Sequence, residues 1–308
     1  MGEKVQTVAA VVVTFNRLEL LKKCIQSLRV QTRKLDEIIV VNNSSTDGTL
    51  EWLNTQNDLT VITQENSGSA GGQYTGIKTA YEKGYDWIWC LDTDIIFQPN
   101  ALEELLSSSA IKNRHLGFLT STLYFNENEL AVINIPELDK PFNLLNSIVK
   151  DNNAIPILSS SFGSLLLPRT VVNKVGLPCK EFFIWGDDAE YTLRIISKKY
   201  KGFMILTSKG VHKIDSNGIN LFANLSTNDP KFYYGIRNIV YVIIQRNKIT
   251  HNSKVRGRIS ALAFLYRTIR EHWSLNHGGN IKYSVAAIYY FIRGILFRPK
   301  IDYVHTKK

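Results

Sequence analysis

Four apolar runs separated by helix-spaced segments constrain this chain more than any other feature in it. The runs are Thr7–Val13, Glu37–Val41, Leu59–Thr63 and Asp86–Leu91. Their β-branched and aromatic content predicts buried strands. Between them, Leu18–Arg29 places Leu18, Leu21, Ile25 and Leu28 on one helical face. Leu50–Leu53 begins a short helix, another runs from the glycine-rich stretch Glu65–Gly72 through Tyr81, and Pro99–Ser107 follows the fourth strand. Strand and helix alternate roughly every 25 residues, which predicts an α/β fold with a mostly parallel central sheet flanked by helices. In such a sheet, ligands bind beyond the carboxyl ends of the strands.

Four polar or glycine-rich loops fall at those ends: Thr14–Arg17, Asn42–Asp47, Asn66–Gly72 and Asp92–Asp94. Together they make a site the size of a nucleotide. The fourth carries chemistry most directly. Asp92 and Asp94 stand at i and i+2, so in extended backbone both carboxylates point to one side. Unpaired, they would repel, and burying them would be costly. A divalent cation, Mg²⁺ or Mn²⁺, with oxygen ligands is the simplest remedy; a strand-ending turn with solvated aspartates is the alternative. Gly68, Gly71 and Gly72 would let backbone approach a diphosphate or sugar, or simply make a turn. The Gly-Lys-Ser/Thr ending of a Walker motif is absent. A dinucleotide-dependent oxidoreductase would need Gly-x-Gly-x-x-Gly after the first strand, where this chain has Thr-Phe-Asn-Arg.

Charge separates the chain into two parts. From Lys231 to Lys308 there are 15 Lys and Arg against Glu271 and Asp302, a balance of +13, while the rest holds 22 basic and 25 acidic residues. A catalytic domain over residues 1–230 and a helical basic region over 231–308 are expected. That region has helical runs at Phe232–Gln245, Ile259–Ile269 and Ile281–Phe297. Lys282 and Arg293 interrupt the last, so it reads as packed or interfacial and not as a transmembrane span. Basicity interleaved with Tyr, Phe and Ile points to an anionic membrane surface; a subdomain completing the core or a homo-oligomer interface is the alternative. No arginine-aromatic RNA signature is present, so no nucleic-acid partner is expected. Cys24, Cys90 and Cys179 are scattered without metal-ligand spacing, which suggests a reduced compartment. The start, Met-Gly-Glu-Lys, is no secretory leader. A cytoplasmic protein, peripheral on the inner face of a plasma membrane, is the expectation.

The segment from about Gly117 to Leu167 is mixed strand and loop, with the small-residue run Leu158–Ser164 passing a ligand or filling a tight sheet position. Phe182-Phe183-Ile184-Trp185 then leads into Gly186-Asp187-Asp188-Ala189-Glu190-Tyr191, with the aspartates in a first helical turn where the dipole favours them. Glu190 and Arg194 can pair at i, i+4. Phe203–Leu206 reads as a strand, with His212 just past it.

Taken in order, these motifs resemble the inverting nucleotide-sugar glycosyltransferases of family 2, with the GT-A fold, over roughly residues 5 to 245. The carriers are Val13-Thr14-Phe15-Asn16-Arg17, Ile39-Val40-Val41-Asn42-Asn43-Ser44-Ser45-Thr46-Asp47-Gly48-Thr49, Asn66 to Gly72, and Asp92-Thr93-Asp94. Phe183-Ile184-Trp185-Gly186-Asp187-Asp188-Ala189-Glu190-Tyr191, Val211-His212 and Tyr233-Tyr234-Gly235-Ile236-Arg237-Asn238 resemble its galactofuranosyltransferase and rhamnosyltransferase branch. Two positions depart from the pattern. Asn42 stands where the family usually has aspartate, and Thr93 stands where the branch often has a third acid.

The resemblance implies a metal-dependent transfer of galactofuranose from a UDP donor, or rhamnose from a dTDP donor. The acceptor would be a hydroxyl of a growing bacterial surface glycan, lipid-linked or polymeric, in an O-antigen, capsule or cell wall. A UDP-glucose, UDP-galactose or UDP-N-acetylhexosamine donor is the close rival; an inactive membrane-binding protein is the distant one. By resemblance, Asp92 lies near the ribose and metal with Thr93 between the two acids, Asp94 is a direct metal ligand, and His212 is a later one. Mixed oxygen and imidazole ligation suits Mn²⁺, with Mg²⁺ as alternative. Asp188 is the candidate general base and Asp187 its neighbour toward the acceptor, since adjacent carboxylates raise one another's pKa. A capped helix start is the bland reading of the pair. Trp185 would wall one sugar face or simply fill the core. Thr14, Asn16, Arg17, Asn42, Asn43, Asn66, Gly71 and Gly72 are the nucleotide candidates, Arg17 either on phosphate or solvated at a helix start.

Overall fold

The unbroken apolar run of the first strand, β1 (Val8–Thr14), is buried along its whole length, as an interior strand of a parallel sheet must be. The computed structural model describes residues 6–140, 143–144, 151–218, 225–275 and 281–304. Residues 1–4, on which the reading of the start rests, lie outside these ranges, as do parts of the middle segment and the tail.

From β1 the chain runs through α1 (Leu18–Arg29), β2 (Glu37–Asn42), α2 (Thr49–Leu53), β3 (Thr60–Thr63), α3 (Gly68–Lys83) and β4 (Trp87–Asp92). These four strands pair in parallel, in the order β3-β2-β1-β4. Thr14 lies opposite Asn42, and Val13 opposite Asp92, so three of the anticipated loops leave the same sheet edge side by side.

Beyond β4 the sheet becomes mixed. β5 (Ile95–Phe97) and α4 (Ala101–Ser107) precede β6 (Leu116–Tyr124), β7 (Glu137–Leu138), β8 (Ala154–Ser159) and β9 (Ser164–Pro168). After α5 (Arg169–Val175) and α6 (Asp187–Ser197) comes the long β10 (Lys201–His212). β9 pairs antiparallel with β4 and β6, and β10 pairs parallel with β6 and antiparallel with β5 and β8. The sequence placed His212 after its strand, but β10 carries it. The run Thr207-Ser208-Lys209-Gly210 has no apolar signal, yet a shift in register between Ile205 and Lys209 lets pairing resume through His212. Ser208 is buried there by donating to the carbonyl of Ala101 at 2.8 Å.

Alternate residues of β1 face two cores. Val8, Ala10 and Val12 pack with Leu21, Ile25 and Leu28 of α1, whereas Ala9 and Val11 pack with Ile77 and Ala80 of α3. A third core joins α7 (Pro230–His251), α8 (Lys254–Leu275) and α9 (Ile281–Leu296) through Phe232, Ile236, Val240, Phe264, Tyr283 and Phe291. Asp229 starts α7 by accepting from the Lys231 amide at 2.7 Å, with Pro230 in the first turn. Phe232 is fully buried, so truncating it to alanine would remove about 3–5 kcal/mol.

Contacts cross the change in character near residue 230. Arg246 of α7 pairs with Glu137 at 2.5 Å. The segment after α9 returns to the sheet layer, where the Leu177 amide donates to Asp302 O at 2.8 Å and Tyr74 Oη to its carboxylate at 3.0 Å.

Candidate active site

Thr14 and Asn42 end adjacent strands, and both are buried. Asn42 Oδ1 accepts from the Ser45 amide at 3.0 Å and so shapes the loop, but among the described residues its Nδ2 has no partner, nor does Thr14 Oγ1. Buried polar atoms are nearly always bonded, so two orphans side by side at a strand-end edge mark a place for a polar ligand.

Other nucleotide candidates have structural partners. Asn16, at φ 51°, receives the Thr46 amide on Oδ1 at 2.7 Å and donates its own amide to Ser45 Oγ at 3.0 Å, tying the first two loops together. Asn66 Oδ1 takes the Gly68 amide at 3.0 Å. Asn43 donates to Gly68 O at 3.0 Å and accepts from Gln64 at 2.9 Å.

The glycine-rich stretch is not a free loop: α3 begins at Gly68 and contains Gly71 and Gly72. A Cβ on Gly72 would lie 2.3 Å from Val13 Cγ1, and one on Gly71 2.1 Å from Ser67 Oγ. Close packing of α3 on β1 therefore accounts for Gly72, and the approach of the Ser67 side chain at the start of the helix for Gly71.

Asp92 and Asp94 part company in their partners. Thr93, buried between them, donates to Val13 O at 2.8 Å and fastens the turn to β1. Asp94 Oδ2 meets Arg17 Nη1 at 2.8 Å, and its Oδ1 lies 3.2 Å from His212 Nε2. Burial alone would raise the Asp94 pKa, but the His212 hydrogen bond and charge, then Arg17, hold it below the ordinary carboxylate range. Asp92 moves the other way. Burial first and the neighbouring Asp94 next push it up to about 7, with Asp188 adding to the rise.

His212 is fixed on its far side by Asn134, whose Oδ1 lies 2.6 Å from Nδ1. Asn134 carries no sequence signal; it ends a short turn of helix, Val132–Asn134, in the segment of mixed strand and loop. A carbonyl oxygen on Nδ1 turns Nε2 toward Asp94, the usual orientation for a metal-ligating histidine. Two ligands of one octahedral Mg²⁺-sized ion stand about 3 Å apart, close to the Asp94–His212 separation. Oxygen and imidazole donors thus fit a divalent cation. As placed, however, no three His, Cys, Asp or Glu side chains among the described residues converge on one ion position. Arg17 instead supplies the positive charge at Asp94.

Asp187 and Asp188 open α6 behind a strained approach. Phe183 and Trp185 both have positive φ, 64° and 63°, a conformation costing about 1–3 kcal/mol at each residue. What holds it is Asn238 of α7. Fully buried, its Nδ2 lies 2.8 Å from the carbonyls of Phe182 and Ile184 and 2.9 Å from that of Trp185. Its neighbour Arg237 donates to Glu181 O at 2.6 Å. Phe183 stacks on Tyr234, its ring 4.7 Å away, and its carbonyl takes the Ala70 amide at 3.1 Å. A Cβ on Gly68 would lie 2.0 Å from that carbonyl oxygen, so only glycine fits beneath the loop. Trp185 packs partly buried against the α7–α9 core.

The result is a pair of carboxylates, one half-buried and one buried. Asp188 is half-buried and accepts from the Ala189 amide at 2.6 Å. Burial raises its pKa to about 6 against the lowering by backbone amides. Asp187 is buried, its Oδ2 has no partner among the described residues, and burial followed by Asp188 pushes its pKa well up. Glu190 and Arg194 do pair, at 2.9 Å, and buried Arg194 also reaches the carbonyls of Val175 and Leu177. Beside Asn16 and Arg17 opens a surface cavity of about 710 Å³, which reaches Asp47, Lys213 and Asp215.

Residues 9–159 match the model of the glycosyl transferase family 2. The galactofuranosyltransferase GlfT1 of Mycolicibacterium smegmatis is 25% identical over 255 residues, covering 78% of this chain and 84% of the relative. That of Mycobacterium tuberculosis is 26% identical over 262 residues, covering 78% and 83%. Among solved structures, Staphylococcus aureus TarS in complex with UDP superposes with a TM-score of 0.59 at 15% identity, covering 94% of this chain and 81% of that one. GalNAc-T7 with UDP, GalNAc and Mn²⁺ gives 0.61 at 16% identity, covering 94% and 58%. The sheet order, the strand-end site and these likenesses agree: residues 9–159 form a glycosyl transferase family 2 domain, and the chain is built on the GT-A fold.

Proposed function

We propose that this protein transfers galactofuranose from UDP-galactofuranose, with inversion, to a hydroxyl of a lipid-linked or polymeric bacterial cell-surface glycan. The observation that carries the reading is Asp188: a half-buried carboxylate at a helix start, close enough to raise the pKa of Asp92, and itself raised to about 6. The two galactofuranosyltransferase relatives, each matched over most of both chains, support the choice of sugar.

In this reading the orphaned Asn42 Nδ2 and Thr14 Oγ1 bond the edges of the nucleotide, an asparagine amide donating to a carbonyl of the base. Asp92, Asp94 and His212 would hold a Mn²⁺ or Mg²⁺ ion, which when bound offsets charge on the departing diphosphate. Arg17, half-exposed and paired with Asp94, turns to phosphate. Trp185 walls the sugar, and Asp188 takes the proton from the attacking acceptor hydroxyl. Buried Asp187 stays protonated and offers its Oδ2 hydrogen to the acceptor.

The test is divalent-ion-dependent release of nucleotide diphosphate from a donor panel, with a bacterial lipid-linked glycan extract as acceptor and Asp188→Asn as control. The panel holds UDP-galactofuranose, UDP-galactopyranose, UDP-glucose, UDP-N-acetylglucosamine and dTDP-rhamnose. Turnover of UDP-galactofuranose, lost in the variant, is expected. Turnover of another donor alone would move the assignment to that sugar; absence of both turnover and nucleotide binding would overturn the transferase reading.

A further inference from the structure

The last two helices are apolar on both sides. On α9, Tyr283, Ala287 and Phe291 are buried in the core shared with α7. Its outer side is apolar too: Ile281, Val285, Ile288, Tyr289, Ile292 and Leu296 recur at helical spacing and remain 45–74% exposed. α8 repeats the arrangement. Gly257, Ala261, Phe264 and Thr268 face inward, while Val255, Ile259, Leu262, Tyr266 and Trp273 are 45–67% exposed. The helices meet where Trp273 Nε1 donates to Ser284 Oγ at 2.9 Å and His272 stacks on Tyr283 at 3.5 Å. A shallow cavity of about 420 Å³, lined by Val285, Tyr289 and Tyr290 among others, lies on the outer side of α9. A helix that only completed a core would be polar on its outer face, so two neighbouring apolar stripes mark a binding surface.

The charges on the same helices identify what it binds. Their exposed ionic side chains include Arg256, Arg258, Arg267, Arg270, Lys282 and Arg293. The acidic residue of the two helices, Glu271, lies 4.0 Å from Arg267. A second copy seated face to face would bring two such basic sets together, which is repulsive. An anionic lipid surface complements them, with phosphates for the cations and an acyl boundary for the stripes. No helix among the described residues is long and apolar enough to cross a bilayer, so the contact is interfacial.

We propose that the outer face of α8 and α9 docks on an anionic membrane surface, the aliphatic and aromatic stripe entering the headgroup boundary. This rests on no feature of the transferase reading. It adds a consequence to it: α7, against which both helices pack, also carries Asn238 beneath the Asp188 loop, so docking would orient that loop relative to the lipid plane.

The experiment is flotation of the full chain with vesicles of phosphatidylcholine alone and of phosphatidylcholine with one-quarter phosphatidylglycerol, at physiological salt. Recovery with the anionic vesicles should exceed that with the neutral ones by about tenfold or more, and fall in high salt. The double variant Ile288→Glu/Ile292→Glu should lose about tenfold in recovery. Its melting temperature and its nucleotide binding should match wild type, since both side chains already face water. Quenching of tryptophan fluorescence by brominated lipid should shrink in Trp273→Phe. Wild type remaining unbound, or the double variant floating as well as wild type, would overturn the proposal. A wild-type dimer that the double variant renders monomeric, without flotation of either, would assign the face to a second copy instead. Loss of flotation with donor turnover in solution intact separates this proposal from the transferase reading.

Discussion

In the proposed division of the site into a nucleotide side and an acceptor side, the two are built in opposite ways. The nucleotide side stands on the ends of β1, β2 and β4, whose loops bond mainly to one another: Asn16 to Thr46, Asn42 to Ser45, Thr93 to Val13. The acceptor side is a strained turn, Phe183–Trp185, held from outside by Asn238 of α7 and by Ala70. One side is supported by its own sheet. The other depends on a helix that begins more than forty residues later in the chain. The difference teaches that the helical C-terminal region takes part in shaping the place where Asp188 sits. It also separates two kinds of damage: substitutions at the strand ends should weaken donor binding, and those under the turn should spare it.

The largest expected effect lies on the acceptor side. Asp188→Asn removes the proposed proton acceptor while keeping shape and the helix start, so turnover should fall by about 10²–10⁴-fold. Nucleotide affinity, measured by calorimetry with UDP, should stay within about twofold. A matching loss of UDP binding would collapse the separation between the two sides.

Next comes Asn238→Ala. It strips the shared amide donor from three carbonyls, that of Phe182 buried and those of Ile184 and Trp185 partly so, a loss of about 2–4 kcal/mol if the chain cannot compensate. The turn then relaxes from its positive φ angles, displacing Asp188, and misplacement by about 1 Å can reduce turnover by around a hundredfold. The signature is a fall in kcat with UDP affinity unchanged, alongside a lowered melting temperature. If UDP affinity fell as much as kcat, the clamp would be supporting both sides.

How much of this could be read without coordinates follows the same division. β1 to β4 announced themselves as apolar runs, and their polar ends fixed the candidates Thr14, Asn42, Asp92 and Asp94, because a parallel sheet puts such ends on one edge. The glycines allow two readings for a physical reason: close helix–strand packing and phosphate contact ask for the same missing Cβ, and the 2.3 Å approach to Val13 gives Gly72 a packing role. The i, i+2 spacing gave Asp92 and Asp94 a common side but could not show that Arg17 and His212 would engage only the second. Asn134 left no motif, and Asn238, the last residue of the family-like run Tyr233–Asn238, carries no role in it. A signal for Asn238 did exist: a polar residue among the inward-facing Phe232, Gly235, Ile236 and Val240 of an apolar helix has to find partners. Its partners lie over fifty residues upstream, beyond the range of any local pattern.

A pH profile sharpens the picture of the acceptor side. As the proposed base, Asp188 works only when ionised, and its pKa is raised to about 6 chiefly by burial. Below that value kcat/KM should fall about tenfold per pH unit, and above it the acidic limb should level. Since the cause is burial, added salt should leave the limb in place. A limb near 4 would mean that the carboxylate is solvated during turnover.

The smallest effect concerns Asp187, and it is on stability. Its folded pKa lies well above the unfolded value because burial and Asp188 both disfavour the charge. The folded state therefore keeps a proton that the unfolded state releases above about pH 4. Between that pH and the folded pKa, stability falls as pH rises, since unfolding is then drawn forward by proton release. Asp187→Asn keeps a neutral polar group in the same volume and removes this dependence. Its melting temperature at pH 7–8 should exceed wild type by on the order of 2 °C, and the two curves should converge toward pH 4. A variant less stable than wild type at pH 8 would show that ionised Asp187 has a stabilising partner, and the acceptor side would then resemble the well-bonded nucleotide side after all.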